Sequence, residues 1–227
     1  HIVGEGIVNE LDGFYSSIIF DKDEVTATCL RDHIGKKPLF VGKTLNHVFI
    51  SSEIKAFDSI ERFQTVPLGV SKIDLERGMA ISTCPVPPLS TNRTLEEVFI
   101  DAVKKRIPPE GHPFGVFLSG GLDSSLVASV VSSFRPDAVY FTLTGPANQD
   151  GKAAEEVVAS LGLRNIRTVP IPSIDELGEI IPDIVYATES FNPSIVSNGL
   201  GSYLLARAAR NEGIKVILGA FETKFLV

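Results

Sequence analysis

Gly115-Val116-Phe117-Leu118-Ser119-Gly120-Gly121-Leu122-Asp123-Ser124-Ser125 decides the fold class. Gly115 to Leu118 has the length and apolar character of a buried strand, and Leu122 to Phe134 carries helical spacing, so the Ser/Gly segment joins a strand to a helix. A glycine pair lets the backbone turn tightly and presents successive N–H groups with no side chain in the way. The helix that follows adds its positive N-terminal end. This reads as a pyrophosphate cradle. Ser119, Ser124 and Ser125 can donate hydroxyl hydrogen bonds to phosphate oxygens, whereas Asp123 repels a phosphate unless a divalent cation lies between them, which assigns Asp123 to magnesium. The competing reading is an ordinary serine-capped connection; seven ordered residues in a strand–loop–helix context favour the cradle. The Gly-Lys-Ser/Thr ending of a Walker loop is absent.

Downstream, Ala138 to Leu143 reads as a second strand, Ala153 to Leu161 as a helix ended by Gly162, and Ile166 to Val169 as a third strand. Two helical stretches, Ile174 to Ala187 and Leu200 to Asn211, lead to Ile214 to Leu218. Strands alternating with helices imply an α/β unit with a parallel sheet, which binds ligands at the carboxyl ends of its strands. Asp150 falls near those ends, either assisting the metal or pyrophosphate or capping a helix that begins near Gly151.

Upstream, Thr94 to Ile107 has helical spacing, with Lys104-Lys105-Arg106 in its last turn and Pro108-Pro109 as the stop. Farther back the rhythm changes. From Leu11 to Cys84 short β-rich runs follow one another, with strands at Phe14–Phe20, Val25–Arg31, Leu39–Val41 and His47–Ser51. Turns at Asp21-Lys22-Asp23 and Gly42 to Asn46 make these antiparallel neighbours. Pro85-Val86-Pro87-Pro88-Leu89-Ser90 lacks ladder donors and reads as an extended linker. The expected organisation is a β-rich domain at 1–84, a linker at 85–93 and an α/β domain at 94–227.

The 227 residues carry 21 Lys+Arg against 28 Asp+Glu, a net charge of −7 that gives no drive toward nucleic acid or an anionic membrane surface. Cys29 and Cys84 are too few for a disulfide framework and lack zinc-site spacing, which fits a reducing, cytoplasmic compartment. No apolar run approaches a membrane span, and His1-Ile2-Val3-Gly4-Glu5 lacks the basic start of a signal peptide.

The Ser119–Ser125 loop resembles the PP-loop of the N-type ATP pyrophosphatases, which cleave ATP to AMP and pyrophosphate while activating an oxygen as an adenylate. Other segments choose within that superfamily. Arg31-Asp32-His33-Ile34-Gly35-Lys36-Lys37-Pro38-Leu39, Ser51-Ser52-Glu53-Ile54-Lys55-Ala56 and Leu11-Asp12-Gly13-Phe14 resemble the glutaminase domain of glutamine-hydrolysing asparagine synthetases. Gln149-Asp150-Gly151-Lys152-Ala153-Ala154, Tyr203-Leu204-Leu205-Ala206-Arg207 and Gly213-Ile214-Lys215-Val216-Ile217-Leu218 resemble segments of their synthetase domain. The resemblance implies a partial Ntn-type glutaminase sandwich followed by a Rossmann-like PP-loop domain. It implies ATP and Mg2+ as cofactors, with Leu118 and Leu143 beside the adenine, Ser119, Gly120, Gly121, Leu122, Asp123, Ser124 and Ser125 around the phosphates, Gly219 at the nucleotide, and Asp123 and Asp150 on the metal. The implied substrates are ATP, aspartate or another carboxylate, and glutamine or ammonia; neither nucleic acid nor a membrane is expected as a partner, and a homodimer stays open.

Two departures qualify the resemblance. The family hydrolyses glutamine with an N-terminal cysteine, whereas residue 1 here is His1, and Cys29 and Cys84 read as small structural residues. The family continues Ser-Gly-Glu-Gly-x-Asp-Glu after its last matched strand, whereas this chain reads Gly219-Ala220-Phe221-Glu222-Thr223-Lys224-Phe225. No catalytic residue is therefore assigned, and the chain is expected to be incomplete at both ends. Glu189 to Ser194, with Ser197 and Asn198, falls where the family lines its amino-acid pocket, and serves equally as a turn and helix cap. Alternatives are a β-lactam-forming or other carboxylate-modifying relative and a degenerate nucleotide-binding regulator.

Overall fold

The computed structural model describes residues 11–20, 24–57, 59, 61–85, 91–145 and 149–220, with the backbone alone at 149 and 150. Two compact units divide between Thr91 and Asn92.

The first unit is antiparallel. β1 (Ser16–Phe20), β2 (Thr26–Arg31), β6 (Gly69–Asp74) and β7 (Met79–Cys84) form one sheet in the order β1-β2-β6-β7. β4 (Val48–Ser51), β3 (Phe40–Lys43) and β5 (Arg62–Thr65) form another in the order β4-β3-β5. Ala27 and Cys29 of β2 and Ile73 of β6 meet Val41 of β3, with Leu39 and Val66, in one buried cluster. Period-two burial on β2 thus supplies the face that packs the two sheets together. The expected Gly42–Asn46 turn is shorter: Gly42 and Lys43 still pair with Phe49 and Val48, and the reversal is closed by Thr44 N donating to His47 O at 2.9 Å. The Asp21-Lys22-Asp23 turn and most of the proline segment, 86–90, lie outside the described residues.

Asp32 organises the loop after β2. Its side chain is fully buried and accepts from the backbone N–H groups of Tyr15 (3.3 Å), Ile34 (3.1 Å), Lys36 (3.1 Å) and Lys37 (3.4 Å). The adjacent Arg31 guanidinium donates to the carbonyls of Lys37, Val66 and Gly35. The Arg-Asp pair thereby satisfies loop backbone groups that strands cannot reach.

The second unit is α/β. Four parallel strands run in the order β10-β9-β8-β11: β8 (Gly115–Phe117), β9 (Val139–Thr144), β10 (Ile166–Pro170) and β11 (Ile217–Leu218). Side-chain alternation splits the core. Val116, Leu118 and Tyr140 face α1 (Leu95–Lys104), α2 (Leu122–Phe134) and α3 (Gln149–Leu161), through Val103, Val131 and Ala154. Phe141 and Leu143 face α4 (Ile174–Thr188) and α5 (Pro193–Asn211), through Ile184 of α4 and Leu204, Leu205 and Ala209 of α5. Capping boxes start α1 (Thr94 with Glu97) and α4 (Ser173 with Glu176), and Gly162, at φ +63°, follows α3.

The chain steps from β8 to β9 to β10, then returns to β11 on the other side of β8, which makes the carboxyl end of β8 the switch point of the sheet. Several boundaries differ from the sequence expectation. α5 starts at Pro193 because Asn192 caps it and Pro193 pre-sets its first turn. α3 starts at Gln149, and β11 pairs over two residues alone. Among the described residues no helix is long and apolar enough to cross a membrane.

Candidate functional site

Past β8 the chain makes one more sheet bond, Leu118 N to Phe141 O at 2.9 Å, and then turns at Ser119. Gly120 has φ +81°, and a Cβ there would stand 2.4 Å from the backbone of Ala153 and Ala154, so the loop is clasped against α3. Gly121 differs. Its φ of −70° suits any residue, and an added Cβ would reach only the Ser119 hydroxyl, at 3.4 Å. The conformational need for glycine expected of the pair rests on Gly120; Gly121 serves by leaving its surface bare.

Gly121 is the N-cap of α2 and supplies no side-chain cap. The first bond of the ladder runs from Ser125 N to Gly121 O at 3.0 Å. The N–H groups of Leu122, Asp123 and Ser124 precede that bond and have no acceptor within the helix, and the helix dipole adds partial positive charge at the same end. The serine hydroxyls are turned inward. Ser124 Oγ donates to Gly121 O (3.1 Å) and Ser125 Oγ to the same carbonyl (2.7 Å). Since Ser124 has one hydroxyl proton, the 3.0 Å contact between Ser119 Oγ and Ser124 Oγ has Ser119 as donor. Backbone amides are thus the donors left for an anion, while the hydroxyls hold the loop that presents them.

Beside the loop lies a cavity of about 180 Å³. Leu118, Ser119, Ser124, Leu143 and Gly219 line it, all five named from sequence. Gly120, Gly121, Leu122, Asp123 and Ser125 are not on its wall; they form the rest of the loop and the first turn of α2. α5 supplies Asn198, Gly201, Ser202 and Leu205. Gly201, Ser202 and Leu205 escaped the sequence reading, which placed no role on the helix face; the Asn192-Pro193 start signal was the available clue.

Asp123 is exposed in the first turn of α2, and no described residue pairs with its carboxylate. One exposed carboxylate beside amides with no acceptor in the helix fits magnesium, which takes one or two carboxylates and fills the rest of its shell with water and phosphate oxygens. Asp150 lies within the first turn of α3, so the expectation that it caps the helix is corrected by the helix starting at Gln149; its side chain lies outside the described residues. The altered acidic loop, 221–227, also lies outside them. In the segment expected at an amino-acid pocket, Asn192 Oδ1 accepts from Ser194 N (2.9 Å) and Ser190 Oγ from Asn192 N (3.1 Å), making the turn between α4 and α5. Asn198 alone of that segment lines the cavity.

The asparagine synthase family model matches residues 94–220. The chain belongs to the asparagine synthase family. A glutamine amidotransferase domain model matches residues 1–59. Asparagine synthetase [glutamine-hydrolyzing] of Sandersonia aurantiaca is 31% identical over 95% of this chain and 44% of its own length. The corresponding protein of Zea mays is 32% identical over 95% of this chain and 39% of its own. This asparagine synthase family chain therefore spans less than half the length of those relatives. Among solved structures, glutamine-dependent NAD+ synthetase from Acinetobacter baumannii in complex with ADP aligns with a TM-score of 0.40 and 16% identity, over 75% of this chain and 33% of that one.

Proposed function

We propose that this chain is an ATP-dependent amide-forming synthetase of the asparagine synthetase type, with aspartate as the default acceptor and ammonia drawn from glutamine. The observation that carries this reading is the β8–α2 loop, whose free amides stand at the sheet's switch point in a chain of the asparagine synthase family. The ATP site comprises Leu118, Ser119, Gly120, Gly121, Leu122, Asp123, Ser124, Ser125, Leu143 and Gly219, within a synthetase domain at 94–227 that follows a partial glutaminase domain at 1–84 and a linker. A cytoplasmic setting suits ATP and free amino acids.

In the first half-reaction a carboxylate oxygen of the acceptor attacks the α-phosphorus of ATP, and the bond from that phosphorus to the β-bridging oxygen breaks. Charge develops on the departing pyrophosphate. The N–H groups of Leu122, Asp123 and Ser124 are fixed in place before reaction, so they stabilise that charge without reorganising. Asp123 would hold a magnesium ion, which would supply further neutralisation of the pyrophosphate. In the second half, ammonia attacks the acyl carbon, AMP leaves with the former acceptor oxygen, and one proton is released.

The test is exchange of labelled pyrophosphate into ATP, with magnesium and each candidate carboxylate. Carboxylate-dependent exchange is expected, greatest with aspartate. It should be abolished in Asp123→Ala while the circular dichroism is unchanged. Exchange retained in Asp123→Ala would remove the metal assignment, and no exchange with any carboxylate would remove the synthetase reading.

A further inference from the structure

We propose that Asn198 and Ser202, one turn apart on α5, select the neutral nucleoside portion of the nucleotide; this rests on the ATP-site reading above. The described wall of the cavity carries no ionisable side chain: Leu118, Leu143 and Leu205 are apolar, and the polar side chains are those of Ser119, Ser124, Ser202 and Asn198. A zwitterionic amino acid seated there would lose water around an ammonium and a carboxylate with no opposite charge to replace it. A nucleoside brings an apolar ring and neutral donors and acceptors, which is what such a wall accommodates. The phosphates belong to the free amides at the Ser119 and Ser124 edge of the same cavity.

Residues four apart share a helix face, so Asn198 and Ser202 stand together on the part of the wall that α5 supplies. Gly201 lets that face come close. A Cβ at 201 would stand 3.1 Å from Leu143 Cδ1, which seats the helix against the end of β9. Neither the Asn198 amide nor the Ser202 hydroxyl is engaged by another described residue. Asn198 can both donate and accept and Ser202 adds a hydroxyl, so the two match the polar edge of a base or the hydroxyls of a ribose.

The experiment titrates ATP, 2′-deoxy-ATP, inosine triphosphate and inorganic tripolyphosphate, each with magnesium, into the full chain and into Asn198→Ala, Ser202→Ala and the double variant. Each single variant is expected to weaken ATP about three- to tenfold, as loss of one neutral hydrogen bond does, and the double variant more. Tripolyphosphate affinity should not change. The variants should also lose discrimination against the analogue that lacks the group being read, separating ribose from base. Asn198→Asp, nearly isosteric but without the amide donors, should weaken ATP in the same direction. Unchanged ATP affinity in the double variant, or a proportional loss for tripolyphosphate, would overturn the assignment while leaving the ATP site standing. Failure of the unaltered chain to bind ATP would overturn both.

Discussion

The hydroxyl oxygens of Ser119 and Ser124 lie 3.0 Å apart, and Ser124 Oγ also accepts from the Ser119 amide at 3.3 Å. Ser124 is buried and couples the end of β8 to the first turn of α2. Ser124→Ala removes the acceptor for both Ser119 groups, so stability of the second unit is expected to fall by about 1–2 kcal/mol. ATP affinity should fall with it. Ser125→Ala loses one bond to Gly121 O from an exposed hydroxyl and is expected to cost less than half as much. Urea denaturation alongside nucleotide titration would compare them; equal costs would mean that the Ser119–Ser124 coupling contributes nothing of its own.

The two loop glycines should separate stability from binding. Gly120→Ala puts a Cβ 2.4 Å from the backbone of α3 at a φ of +81°, and is expected to destabilise the unit by about 1–3 kcal/mol and to abolish ATP binding. Gly121→Ala meets only Ser119 Oγ at 3.4 Å, so its unfolding midpoint should stay close to that of the unaltered chain while ATP binding weakens. A Gly121→Ala protein that bound ATP normally would mean that phosphates do not approach that part of the loop.

These contrasts mark where sequence was informative. α2 was legible to the residue because the apolar period begins where the glycines end. The parallel direction of the second sheet followed from alternation of strands with helices, and the first unit read correctly as antiparallel. Strand β6 was obscure because its inward positions 69, 71 and 73 are Gly, Ser and Ile, so the apolar alternation is broken on the buried face. β7 is a sheet edge with mostly exposed residues and carries almost no burial pattern. In the candidate site, the loop and strand-end residues and Asn198 were visible, but the rest of the α5 wall was not, since Gly201 and Ser202 join Asn198 on one face only once α5 is known to begin at Pro193.

Asp32 should dominate the stability of the first unit. Four backbone amides converge on its buried carboxylate, and Asp32→Ala leaves them without that acceptor. The expected loss is about 2–4 kcal/mol, read as a lowered urea midpoint. Asp32→Asn keeps the acceptor oxygens in part and should lose less. Equal losses would mean that the second acceptor oxygen and the negative charge hold the loop, and that the shape asparagine shares with aspartate does not.

The two cysteines should differ in reactivity. Cys29 is fully buried in the sheet-packing cluster, and burial pushes its thiol up to about 11, whereas Cys84 is exposed. An aromatic disulfide reagent at neutral pH should modify Cys84 in the folded protein and reach Cys29 only after denaturation. A thiol that titrates high and sits behind two sheets is a packing residue. Rapid modification of both in the folded state would contradict the burial of β2.

Acid should unfasten two helix starts in the second unit. The Thr94 amide, followed by its hydroxyl, holds the Glu97 carboxyl below the ordinary glutamate value of 4.5, and the Ser173 amide and hydroxyl do the same for Glu176. Because each folded value lies below the unfolded one, the stabilisation is present above about pH 4.5 and is lost as pH falls through the folded values. Glutamine accepts the same bonds in a capping box but does not titrate. Glu97→Gln/Glu176→Gln is therefore expected to flatten the dependence of the urea midpoint on pH between about 5 and 3, with Asp101 and Asp137, also held low by ion pairs, leaving a residual slope. An unaltered slope in the double variant would assign acid sensitivity to those ion pairs instead of the caps.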